Sequence, residues 1–124
     1  MHTLRIRWAV VFMSIWLTVG TAHAQAPSAA AQQEIEQLFT ALQQSQCEFQ
    51  RNGSWYDAGK ATEHLRQKYD YLLKKKLAPT TEAFIERAAT QSSLSGKPYQ
   101  VRCGQAQAVP SKQWFEQQLK ALRR

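Results

Sequence analysis

Cysteine, histidine and acidic residues are all scarce in this chain, and each scarcity excludes something. Of 124 residues, two are cysteines and three are histidines, and His64 is the only histidine beyond residue 24. Cys47 and Cys103 lack the C-x-x-C spacing of a dithiol redox enzyme. With a single histidine they also make a poor zinc set, so no metal or cofactor is expected. No apolar run reaches the roughly 20 residues of a membrane span; the longest, Trp8–Val19, stops at Gly20. The five glycines do not fall into a phosphate-binding loop. There is no internal repeat, and no aromatic-basic motif of a nucleic-acid-binding fold. Nothing in the chain spells a catalytic motif.

The first 24 residues are informative. Arg5 and Arg7 stand before the apolar Trp8–Val19, and Ala22-His23-Ala24 supplies small residues at the positions a signal peptidase reads. Positive start, short apolar middle and A-x-A end form a secretory signal. The reading is residues 1–24 as signal peptide with cleavage after Ala24, 25–33 as a flexible leader, and 34–124 as a single domain. No cysteine sits at the cleavage point, which argues against a lipoprotein, and no transmembrane anchor remains after cleavage. The expected location is the periplasm. The formal charge of +7 becomes +5 once Arg5 and Arg7 are lost. A basic exported protein is attracted to anionic cell-wall or membrane components, although Lys74–Lys76 and Arg123–Arg124 also suit an ordinary solvated surface. In an oxidising compartment, an even pair of cysteines reads as a disulfide.

Apolar periodicity divides the remaining chain. Ile35, Leu38, Phe39 and Leu42 recur at helical spacing across Glu34–Gln46. From Cys47 to Tyr56 the period shortens to two, and Asn52-Gly53 marks a hairpin turn. Asp57 is placed as the N-cap of a helix running to about Leu77, with Ala61, Leu65, Tyr69 and Leu72 inward. Pro79 stops it. Thr80 or Thr81 opens a third helix carrying Phe84, Ile85, Ala88 and Ala89. A loop over Ser92–Gly96 precedes a strand over Pro98–Cys103. Gly104–Pro110 reads as loop, and Ser111 as the cap of a last helix with Trp114, Phe115, Leu119 and Leu122 on its apolar face. The fold class is α+β: about four helices and a small antiparallel sheet, three-stranded from a β-hairpin plus one late strand, joined by a Cys47–Cys103 disulfide and covered by helices on one side.

In order along the chain, Cys47-x-Phe49-x-Arg51-Asn52-Gly53-x-x-Tyr56, His64-Leu65-x-x-Lys68, Thr81-Glu82-x-Phe84-Ile85, Ser92-Ser93-x-Ser95-Gly96-x-x-Tyr99 and Trp114 resemble the YfeK-like family of small bacterial envelope proteins. The resemblance covers most of Cys47–Leu119. It implies a periplasmic domain of unknown function and assigns no catalytic residue.

Four residues are candidates for ligand binding. Arg51 could grip a carboxylate or phosphate, or pair with Asp57 or Glu63 inside the fold. His64 could serve as a general base, yet Glu63 diverges from it by roughly 100° on a helix. A half-buried histidine bonded to backbone or hairpin is the simpler expectation. Lys97, beside the Ser92–Ser95 cluster, could help hold an anion; a solvated loop explains the same residues. Trp55, near a turn tip, could stack on a sugar ring, although aromatics at periodic positions are more often core. The resulting expectation is a monomeric, non-enzymatic periplasmic module that binds an envelope protein or an anionic wall component, with no specific nucleic-acid partner. The alternative is a small secreted basic hydrolase acting on a phosphodiester or glycan, built on His64, Arg51 and Glu63.

Overall fold

A computed structural model describes residues 14–16 and 24–124; most of the signal-peptide segment lies outside the described residues. Helix α1 spans Ala29–Gln44. A hairpin of β1 (Glu48–Arg51) and β2 (Ser54–Tyr56) follows, then α2 (Ala58–Lys74) and α3 (Thr81–Ala88). Strand β3 (Gln100–Arg102), β4 (Val109–Pro110) and α4 (Ser111–Leu122) complete the domain. The sheet is antiparallel throughout in the order β2-β1-β3-β4. The α+β architecture is therefore as the periodicity implied. Among the described residues, no helix is long and apolar enough to cross a membrane.

The hairpin forms where the turn chemistry demands it. Asn52 and Gly53 take φ of 49° and 84°, the positive pair a two-residue turn needs to match strand twist. Phe49 and Val101 then face each other across β1 and β3 and are buried, while Glu48 and Arg102 pair as ions on the exposed side. Continuing that register by one residue brings Cys47 opposite Cys103, with Cα atoms 4.2 Å apart, and the two are disulfide-bonded. Helices α2 and α4 lie against the strands. Between them the core is an aromatic stack: Phe39, Tyr69 and Phe84 meet at 5.3–5.9 Å, and Phe84 continues to Phe115 at 6.4 Å. Ile35, Leu38, Leu42, Leu65 and Ile85 fill the space around them.

Four boundaries differ from expectation. Helix α1 begins at Ala29 because Ser28 caps it, its Oγ accepting from the Ala31 N–H at 3.1 Å. The stretch expected to be a flexible leader thus contributes a first helical turn with Ala31 buried, and alanine is the best helix former. The sheet gains a fourth strand: Val109 pairs with Val101 and Pro110 with Gln100. Pro110 lacks an N–H, so it is tolerated only at this edge. The same pairing extends into a Ser111 N–H bond to the Tyr99 carbonyl at 2.8 Å. Ser111 is thereby drawn inside the helix as its first residue; Pro110 occupies the cap position without a side-chain bond, and the Ser111 Oγ is buried with no partner. Leu122, expected on the buried face of α4, is exposed, lying past the last packed residue Leu119.

The ends of α2 and α4 are held by polar devices. Leu77 N–H donates to the Leu72 carbonyl and Lys76 N–H to that of Leu73, a Schellman closure with Lys76 at φ 55°. Arg123, just past α4, donates through Nε and Nη2 to both Glu34 oxygens, at 2.7 and 2.9 Å, and through Nη1 to Glu82. This fork ties the tail of α4 to α1 and α3.

Candidate functional site

The hairpin tip, the middle of α2 and the approach to β3 converge on one cationic cleft. Arg51 ends β1, and its guanidinium lies over the Tyr56 ring at 4.9 Å. His64 and Lys68 are one helical turn apart on α2, so both project from the same face. Tyr99, 1% exposed, reaches them from the residue before β3. Arg51 Nη1 contacts His64 Nδ1. His64 Nε2 lies 3.1 Å from the Tyr99 hydroxyl, and Lys68 Nζ lies 3.2 Å from the same oxygen and 3.0 Å from the Gln91 carbonyl.

Donor chemistry orders this chain of contacts. A guanidinium offers only donors, so Nδ1 of His64 accepts and the proton of the neutral ring sits on Nε2. Nε2–H then donates to Tyr99, as does the Lys68 ammonium. The Tyr99 oxygen accepts twice, and its own hydroxyl proton has no protein acceptor among the described residues. Burial, followed by the Arg51 and Lys68 charges, holds His64 down at about 4. The ring is therefore neutral at physiological pH, with its one lone pair capped by Arg51. Burial and the Arg51 charge lower Lys68 to about 8. Burial raises Tyr99 above the usual phenol range.

The charge in the cleft is uncompensated. Among the described residues, neither Arg51 nor Lys68 has an ion-pair partner. Asp57, one carboxylate expected to pair with Arg51, instead caps α2 through the Lys60 N–H at 2.8 Å. Glu63 lines an adjoining cleft that also includes Arg51 and His64, but it makes no ion pair. The space in front of Arg51, Lys68 and Tyr99 has a volume of about 440 Å³ and is also lined by Asn52, Ser92 and Ser93. Asn52 braces its wall, donating to Ser92 Oγ at 3.4 Å and accepting from Ser95 Oγ at 2.6 Å.

Of the four sequence candidates, Arg51 and His64 lie in this cleft. Trp55 and Lys97 do not. Trp55 alternates to the other face of β2, where Arg102 covers its ring at 3.9 Å. Lys97 is exposed and serves its loop through the backbone, its N–H bonding Ser95 Oγ and its carbonyl accepting from Ser92. Sequence reasoning missed Lys68 and Tyr99 as site residues. The i, i+4 spacing of Lys68 from His64 was a usable signal, since it puts a second cation beside the imidazole. No group of three or more metal-ligating side chains occurs among the described residues.

Comparison with known families gives a match to the Family of unknown function (DUF5329), over residues 29–123. The chain belongs to this family. Every residue of the cationic cleft falls inside the matched segment, and so do both cysteines. Neither the curated proteins nor the solved structures give a match.

Proposed function

We propose that this DUF5329 protein is an exported, monomeric periplasmic module that captures an anionic ligand without turning it over. The observation that carries the reading is the convergence of Arg51, Lys68 and the unaccepted Tyr99 hydroxyl on one cleft with no carboxylate opposite them. Arg51 and Lys68 use part of their donor capacity on His64, the Gln91 carbonyl and Tyr99 but have no counter-charge, which leaves them suited to an incoming anion. The leader with its A-x-A end supports export, and the disulfide suits an oxidising compartment. The resemblance of the spaced motifs to YfeK-like envelope proteins supports the same placement.

The hydrolase alternative has weaker support. A general base needs a free lone pair, whereas the only one on neutral His64 faces Arg51, and no carboxylate orients the ring. The test is calorimetric titration of the purified protein with inorganic phosphate at pH 7 and low salt. Saturable binding is expected, weakened at least about tenfold in Arg51→Ala and in Lys68→Ala, as the loss of one charge-assisted bond implies. Affinity should also fall above about pH 8, where Lys68 loses its proton. Absence of saturable binding would refute the reading, and turnover of the phosphodiester bis(4-nitrophenyl) phosphate abolished by His64→Ala would move it to the hydrolase.

A further inference from the structure

A second cleft, of about 410 Å³, adjoins the cationic one and shares His64, Lys68 and Ser93 with it. Its character is different. Leu72 and Tyr71 line it together with Gln67 and Arg87, and Tyr71 is 59% exposed. Leu94 lines the cationic cleft and is 98% exposed. Large apolar side chains are normally withdrawn from water. Among the described residues beyond Ala24, only Leu122 is otherwise a large exposed hydrophobic, at 40%. Exposed apolar surface is thus concentrated beside the unpaired cations.

We infer that the preferred ligand is a phosphate monoester with an apolar body, its phosphoryl group held by Arg51, Lys68 and Tyr99 and its body lying between Leu94 and the Tyr71–Leu72 cleft. This rests on the anion-binding reading above. Phosphate is favoured over a single carboxylate by the donor set. The donors come from separate elements, β1, α2 and the segment before β3, so a phosphoryl group with three terminal oxygens can engage more of them than a carboxylate with two. The Arg51 fork, which would otherwise clamp a planar carboxylate, has already committed Nη1 to His64. Two positive charges match a dianion, and the Ser92 and Ser93 hydroxyls line the same wall. The apolar flank adds affinity only for a ligand that carries a body, because inorganic phosphate has no apolar surface to bury against it.

The experiment compares inorganic phosphate, phenyl phosphate and a short-chain lysophosphatidic acid below its micelle concentration, each titrated into the purified protein. At least one of the two esters should bind about tenfold or more tighter than inorganic phosphate. A gain for the phenyl ester alone would mark a small soluble ligand, and a gain for the lysolipid alone a lipid headgroup; either supports the inference. The double variant Tyr71→Ser/Leu94→Ser, which alters only exposed side chains, should erase the gain and leave inorganic phosphate affinity unchanged. Equal affinity for all three ligands would overturn this inference while leaving the anion site standing. Binding of none of them would overturn both.

Discussion

Breaking the Cys47–Cys103 bond should cost this domain a large share of its net stability. The two cysteines are 56 residues apart in sequence and extend the β1–β3 register by one pair. The sheet holds them opposite each other whether or not they are bonded, so the effect falls on the unfolded chain. Closing a loop of that length removes unfolded-state entropy equivalent to about 4 kcal/mol at 25 °C. Domains of this size are stable by only about 5–15 kcal/mol. With a urea m-value of about 1–2 kcal/mol/M, the midpoint should fall by about 2–4 M on reduction. The thermal midpoint should drop by about 15–30 °C. Buried Trp114, 6% exposed, supplies the fluorescence signal. Unfolding curves would be compared for the oxidised protein, the reduced and alkylated protein, and Cys47→Ser/Cys103→Ser. Coincident oxidised and reduced curves would refute the entropic argument. A loss in the reduced protein that the double serine variant did not reproduce would assign the effect to the alkyl groups instead.

Three further outcomes follow from local geometry. His64 should titrate near pH 4 in an NMR series, and Arg51→Ala should raise that value by removing the neighbouring charge. Because its folded value lies below the ordinary 6.5, the folded state binds fewer protons between these limits; stability contributed by the neutral ring is complete above about 6.5 and lost as pH falls through 4. A titration near 6.5 would contradict the buried, cation-flanked placement. Glu34 is lowered to about 2 by hydrogen bonding to Arg123, then to Thr81. Its stabilisation is therefore present above about 4.5 and lost as pH falls through 2. Arg123→Ala should flatten the acid limb of a stability-versus-pH profile, and added salt should shrink the difference because the pair is near solvent. Lys76→Gly should raise stability by about 0.5–1 kcal/mol in chemical denaturation, since Lys76 sits at φ 55° in the closing turn of α2, a backbone region glycine enters at no steric cost. A loss of stability would mean that the lysine side chain contributes more than the backbone geometry implies.

Local chemistry made much of the fold legible. The Asn52-Gly53 turn, the Asp57 cap and the stripe of Ile35, Leu38, Phe39 and Leu42 each depend on residues within one turn or one strand, so spacing reveals them. The β4 pairing does not: two residues, one of them proline, carry no period of their own and become a strand only because β3 lies beside them. The early start of α1 is legible only in part, from the alanines of the leader. Ala29 to Gln33 reads as small and polar until Ser28 caps it and Ala31 finds the core. Arg51 and His64 drew notice as the residue types that grip anions and move protons. Tyr99 lies in the strand read over Pro98–Cys103 and is buried; what periodicity cannot reveal is that its oxygen lies where His64 and Lys68 meet. Trp55 drew attention by its position near a turn, but strand alternation sends it to the face opposite the cleft.

The most direct test of the anion site is an NMR map of the isotope-labelled protein titrated with inorganic phosphate. Saturable shifts should appear at Arg51, the His64 ring, Lys68, Ser92, Ser93 and Tyr99, with those at Trp55 and Lys97 far smaller. Saturable shifts centred on Trp55 or Lys97, or none at the cleft residues up to millimolar phosphate, would contradict the account.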